Sequence, residues 1–263
     1  MKSVTYALIH KRYLCARVVP GILCEFGLGI ENNINIAFDW YSKSAKLGEN
    51  VAQHALARLY ENGTGTEKNI NIAFEWYLKA AENDNADAQY RLSDFYENGI
   101  AVEKNEKKAF EWIKKSAENG NENAQCLLGL YYYNGDIVER NLELSFEWYK
   151  KATERNIGMA EYSVGCFYEK GLVVGKNLEI AFEWYLKAAL NNYSLAQYDT
   201  GVCYFKGEGV KKDQKEGIKW IKKSADNGCE NAIKAINQIK EDKLLFGYQI
   251  TNTIYEIISG IAG

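Results

Sequence analysis

All six tryptophans of the 263-residue chain share one spacing: Trp40, Trp76, Trp112, Trp148, Trp184 and Trp220, each 36 residues beyond the last. Self-similarity at a fixed period of about 20 to 50 residues marks a stacked repeat, in which each unit buries its apolar face against the next. Such a chain needs no closed central core, and the 36-residue frame sets every other residue against its counterparts.

Two helices, A then B, fill each frame. Alanine recurs at Ala16, Ala52, Ala88, Ala124, Ala160, Ala196 and Ala232 and is read as the opening of helix A. In the third unit Ala88, Leu92, Phe95 and Tyr96 then fall at i, i+4, i+7 and i+8, one helical face. The position after the leucine is small (Gly21, Ala57, Ser93, Gly129, Gly165, Gly201), which implies close approach by the next helix, because a mid-helix glycine costs about 1 kcal/mol. Helix A stops at Gly27, Gly63, Gly99, Gly135, Gly171 and Gly207, as left-handed C-caps require. Helix B starts behind Asn33, Asn69, Asn105, Asn141, Asn177 and Asp213, whose side chains cap orphan N–H groups. It is read as burying Ala73, Trp76, Tyr77, Ala80 and Ala81, and as ending at Gly48, Asp84, Gly120, Asn156, Asn192 and Gly228. Tryptophan and tyrosine are thus expected to seal the contact between units.

The pattern A-x-A-Q-Y-x-L…Y-E-N-G…K-N…A-F-E-W-Y-x-K-A-A, carried by residues 86–99 and 105–117, resembles the Sel-one-like repeat, a relative of the tetratricopeptide repeat. The tetratricopeptide repeat has a period of about 34, with Trp in helix A and a proline near the unit end. Here Trp lies in helix B and Pro20 is the one proline. The resemblance covers residues 16 to about 240. It implies an all-α fold, a right-handed α/α superhelical solenoid of six two-helix repeats plus C-terminal capping helices. Residues 1–15 are read as a helix-B-like remnant, 16–51 as a degenerate first repeat interrupted by Pro20, 52–231 as five regular repeats and 232–263 as capping helices. Because residues 1–12 enter in the phase of a helix B, the chain reads as a fragment or a divergent copy of a longer array.

Composition narrows the function. A net charge of −3 gives no electrostatic footing for nucleic acid, and no apolar run approaches the ~18 residues of a membrane span. The N-terminal apolar stretch 4–9 is too short for a secretory signal. Cys15, Cys24, Cys126, Cys166, Cys203 and Cys229 occupy six different phases of the frame, so no disulfide belongs to the unit, and a cytoplasmic location is expected. The P-loop-like string 171–176 lacks one spacer residue and the Ser/Thr after Lys176, and its glycine is a helix terminator. His10 and His54 are the only histidines, there is no Cys-x-x-Cys, and Glu75, Glu111, Glu147 and Glu183 recur on an outward face. No enzyme activity, cofactor or metal is expected.

In tetratricopeptide arrays helix A lines the concave surface, and the resemblance implies the same here. One helix A column runs His54, Tyr90, Cys126, Tyr162, Tyr198; a second Arg58, Asp94, Leu130, Cys166, Val202; a third Glu61, Glu97, Tyr133, Glu169, Phe205. Charge dominates the early units and aromatics the late ones. Tyr133, Tyr162, Tyr198 and Phe205 are expected to form an apolar groove for a peptide or helix, with Tyr90, Arg58 and Asp94 as further contacts. The competing reading packs these tyrosines between units and leaves no groove. The function expected is a monomeric, non-catalytic scaffold or adaptor for a protein partner; the alternative is the regulatory array of a kinase-linked signalling protein. The resemblance admits adaptor roles in signalling, in endoplasmic reticulum protein degradation and at host–microbe contacts.

Overall fold

Six side-chain caps start the B helices. Asn33, Asn69, Asn105, Asn141, Asn177 and Asp213 each accept the N–H three residues on, at 2.9 to 3.2 Å. Each capping residue also donates its own N–H to the carbonyl nine positions back, as Asn69 does to Tyr60 and Asp213 to Tyr204, both at 2.8 Å. The A–B loop is thereby held at both ends. Helix A stops where predicted, at six glycines with φ between 65° and 82°.

In the computed structural model residues 18–29 and 31–246 are described, with side chains to residue 238. Residues 18–26 are helical (α1). Then follow α2 (Ile34–Lys46), α3 (Asn50–Asn62), α4 (Ile70–Glu82), α5 (Ala86–Asn98), α6 (Glu106–Glu118), α7 (Glu122–Asn134), α8 (Leu142–Ala152), a 3-10 turn (Thr153–Arg155), α9 (Gly158–Lys170), α10 (Leu178–Leu190), α11 (Ser194–Lys206), α12 (Gln214–Asp226) and α13 (Glu230–Phe246). No strand occurs among the described residues. Two compact units divide between Leu128 and Gly129, inside α7. In each, helical hairpins pack in chain order, as in a helical-repeat solenoid. The proposed remnant at 1–15 and most of the capping segment 244–262 lie outside the described residues. α13 runs through Lys243, where earlier units have their terminating glycine.

Two expectations need correction. Helix A opens two residues before the recurring alanine, as at Asn50, Ala86 and Ser194. Ala52, Ala88, Ala124, Ala160, Ala196 and Ala232 are wholly buried, so the column marks tight packing rather than a start signal.

The tryptophans, expected to be sealed, are not the buried anchors. The sealed anchors of helix B are Tyr41, Tyr77, Ile113, Tyr149, Tyr185 and Ile221, one residue after each indole. They press on the small column of helix A: a Cβ added to Gly165 would stand 2.6 Å from the Tyr185 ring. Trp40 is 40% exposed and the other five are half-buried. Residues 73, 77, 80 and 81 define the buried line of α4, and a residue one position from 77 is turned about 100° off it. The indole therefore lies on the flank, where Trp76 touches the preceding core of Tyr41, Ala52 and Leu56 as well as its own. Each indole face is covered by the lysine three residues on (Lys43, Lys79, Lys115, Lys151, Lys187, Lys223), with the ammonium 4.1 to 5.6 Å from the ring. Such exposed pairs contribute about 0.5–1 kcal/mol each.

An amide ladder joins neighbouring hairpins. Gln53, Gln89, Gln125 and Gln197 donate to the carbonyls of Ala45, Ala81, Ala117 and Ala189 at 2.9 to 3.2 Å. Gln53, Gln89 and Gln197 in turn accept from Asn83, Asn119 and Asn227. The fifth repeat breaks the ladder with Glu161, which has no N–H to offer. There the preceding helix ends two residues early in the 3-10 turn.

Candidate functional site

On the helix A side of the first unit a cluster of charges is paired within the chain. Tyr41 donates its hydroxyl hydrogen bond to Glu25 at 2.7 Å, and Arg58 pairs with the same carboxylate. One repeat later Tyr77 donates to Glu61 at 2.7 Å, while Arg91 binds Glu61 and, at 2.6 Å, Asp94. Burial works against the Glu61 carboxylate, but the hydrogen bonds from Arg91 and Tyr77 outweigh it and hold the carboxyl below its usual range. The Arg91 guanidinium sits 5.5 Å from the centre of the Phe95 ring, filling the notch between α3 and α5. Burial also lowers the His54 imidazole, whose ring lies 5.6 Å from that of Tyr77. Arg58 and Asp94 are thus engaged in ion pairs, and Tyr90 is half-buried beside them.

Two repeat lengths further on, in the second unit, the same frame carries different chemistry. Tyr149 and Phe167 stand where Tyr77 and Phe95 stood. Glu61, Arg91 and Asp94 have become Tyr133, Ser163 and Cys166. The notch is open, a recess of about 270 Å³ between α7 and α9 lined by Leu130, Tyr133, Tyr149, Met159, Tyr162, Ser163, Cys166, Phe167, Lys170, Leu172 and Tyr193. Tyr133 packs edge-on to Phe167 at 6.0 Å, and Tyr162 stacks obliquely on Tyr185 and Tyr193 at 5.3 and 5.4 Å. The Tyr162 hydroxyl donates to Asp199 at 2.7 Å, and the Tyr185 hydroxyl to Glu169 at 3.0 Å. Burial pushes the Asp199 carboxyl up to about 6, opposed by the Tyr162 hydrogen bond. Burial likewise raises the Cys166 thiol, and it brings Cys126 and Cys203 to about 12, so these sulfurs stay protonated and unreactive at neutral pH.

The structure brings Tyr133 and Tyr162 together around the recess and separates them from Tyr198 and Phe205. Those two are 3% and 1% exposed, inside the core formed with Val202, Ile221, Cys229 and Ala232. The expected path through all four aromatics is therefore not an open groove. At position 221 isoleucine replaces the tyrosine anchor, and Phe205 fills the space that a Tyr–Glu pair takes in other repeats. Ser163, Met159, Lys170 and Tyr193 were not expected. The signal was present in the exchange of Arg91 for Ser163, but neither residue lies in the helix A columns that looked exposed from spacing alone.

The P-loop-like glycine, Gly171, is the left-handed cap of α9 at φ 68°. Among the described residues no His, Cys, Asp and Glu group has the arrangement of a metal site, and no helix is long and apolar enough to cross a membrane.

A family model described as the Sel1 repeat, the Sel-one-like repeat of the sequence pattern, matches residues 21–49, 50–85, 86–121, 123–157, 158–193 and 194–229. Among solved structures the chain is similar to a Sel1 repeat protein from Oxalobacter formigenes, at 30% identity and a TM-score of 0.72, over 81% of this chain and 87% of that one. It is also similar to c5321, a protective antigen of uropathogenic Escherichia coli displaying an SLR fold, at 27% identity and a TM-score of 0.74. That match takes in 98% of this chain and 56% of the antigen, so the chain spans little more than half of it. No curated protein matches significantly.

Proposed function

The chain belongs to the Sel1 repeat family, and we propose that it is a non-catalytic scaffold whose partner docks on the helix A side of the second unit, at the recess between α7 and α9. Sel1 repeat proteins are generally protein-interaction scaffolds. The observation that carries the finer reading is the open notch: a volume of about 270 Å³, walled by aromatics, where the first unit keeps an arginine paired to two carboxylates. Aromatic walls favour anchoring a partner's side chain. Arg58, Asp94, Glu61 and Glu169 on this face have hydrogen-bond or ion-pair partners inside the chain. Free thiols at Cys24, Cys126, Cys166, Cys203 and Cys229 support a reducing compartment, the cytoplasm in this proposal. Its organisation is a degenerate repeat at 16–51 and five regular ones at 52–231.

A photo-crosslinking amino acid at Tyr133, with one at Glu75 on the helix B face as control, tests the docking side. The expected result is a crosslinked protein, identified by mass spectrometry, from position 133 and not from 75. Equal yields from both positions, or a yield from 75 alone, overturn the assignment.

A further inference from the structure

We propose that the recess between α7 and α9 takes one large apolar side chain, aromatic by preference, from an acidic peptide segment, and that Lys170 holds a carboxylate next to that side chain. The inference rests on the docking side proposed above and names the chemistry of what docks there.

The repeat frame supplies the argument, because the first unit shows the same notch filled. There Arg91 lies over Phe95, and Glu61 and Asp94 neutralise it. Removing the arginine alone would strand two half-buried carboxylates, which is costly. The second unit instead changes all three residues together, to Ser163, Tyr133 and Cys166, and keeps the ring at Phe167. The result is a recess of about 270 Å³ with no carboxylate in its lining, so a guanidinium or ammonium from a partner would find no anion in direct contact. An apolar ring fits what remains: Tyr133, Tyr162 and Phe167 offer ring edges and faces, and Leu130 and Met159 close the apolar wall. Aromatic pairs of this kind add about 0.5–1.5 kcal/mol beyond the area they bury.

The charges around the recess set the flanking residues. Lys170 lines it and has no carboxylate within 4.0 Å among the described residues. Arg140 lies on the Tyr133 ring, 5.6 Å from its centre, and is fixed there by donating Nε to the Tyr133 carbonyl at 2.9 Å. Asp199 and Glu169 accept hydroxyl hydrogen bonds from Tyr162 and Tyr185 and do not line the recess. Two cations with no ion pair among the described residues therefore frame an apolar hole, which complements a hydrophobic residue flanked by Asp or Glu.

Fluorescence anisotropy on the full chain tests this, with a short fluorescein-labelled peptide of glutamates around one phenylalanine as probe. Two controls carry alanine for the phenylalanine, or lysines for the glutamates. The acidic phenylalanine peptide is expected to bind at least about tenfold more tightly than either control. Ser163→Arg, which refills the notch as Arg91 does, is expected to weaken binding by about tenfold or more. Lys170→Glu, at an exposed position, is expected to reverse the preference toward the lysine peptide. Thermal melts establish that both variants are folded. Equal binding of acidic and basic peptides, or unchanged affinity in folded Ser163→Arg, overturns the inference. A protein crosslinked at position 133 whose contact segment is basic or lacks a large apolar residue overturns this inference alone; absence of any crosslink at 133 overturns the docking side with it.

Discussion

Asp199 and Val173 each carry local physics that the repeat around them does not require. Folding lifts the Asp199 carboxyl to about 6, mainly by burial, against a value of about 3.9 in an unfolded chain. Between roughly pH 4 and 6 the folded form therefore holds more protons than the unfolded form, so stability falls as pH rises through that window and is level above it. Asp199→Asn is expected to raise stability at pH 7.5 by on the order of 1 kcal/mol and to match the parent at pH 4. Melts at the two pH values check this, and an equal gain at both contradicts it. Val173 is β-branched yet sits at φ 64°, the centre of a three-residue turn closed by the Val174 N–H on the Leu172 carbonyl at 2.6 Å. Gly65 and Gly209 hold the corresponding places in other repeats at φ 70° and 68°. Because Val173 is 47% exposed, Val173→Asn loses little packing, and relief of strain is expected to raise stability by about 0.5–1 kcal/mol, read from the urea midpoint.

Between elements, the deciding quantity is which side chain of helix B faces helix A. Tyr77→Ala opens a cavity against Ala57 and takes from Glu61 its hydroxyl donor, so it is expected to cost about 3–5 kcal/mol. Trp76→Ala removes a half-buried flank residue and is expected to cost about 1–2 kcal/mol. Chemical denaturation of the pair gives the order; a larger loss at Trp76 contradicts it. Glu161, 0% exposed, takes Asn191 at 2.7 Å and Lys187 at 3.1 Å, but cannot donate to the preceding helix as its glutamine counterparts do. Glu161→Gln is expected to add about 1 kcal/mol by removing a buried charge and completing the ladder, with loss of stability in the same assay as the contrary outcome. The six caps and six glycine terminators were legible in the sequence because each acts within four residues of its own position. The Tyr-versus-Trp choice was not: both are large, they are adjacent, and about 100° of helix rotation separates a sealed anchor from an exposed flank.

At the scale of the whole molecule the 36-residue period was enough to give the fold class, since one unit repeated six times leaves few ways to bury its alanines, tyrosines and leucines. The proposed binding site was only half legible. Tyr133 and Tyr162 could be named from their columns, but Phe205 and Tyr198 read the same way and turned out to be core. What distinguishes them is a partner one helix away, Ile221 in place of a tyrosine, and no single column reveals that. The recess itself is an absence, opened where Ser163 stands in place of Arg91, and becomes visible only when repeats are compared in space.

If stability is the sum of hairpins and their contacts with neighbours, damage stays where it is made. Amide hydrogen exchange on Tyr185→Ala measures this most directly, because Tyr185 anchors α10 against Gly165 of α9 and lies in one core with Cys203 of α11. The predicted result is rapid exchange through α9, α10 and α11, with α3, α4 and α5 as protected as in the parent chain. An equal loss of protection in all of these helices would mean a single cooperative core, and would contradict the repeat-by-repeat construction on which the fold and the proposed docking site both depend.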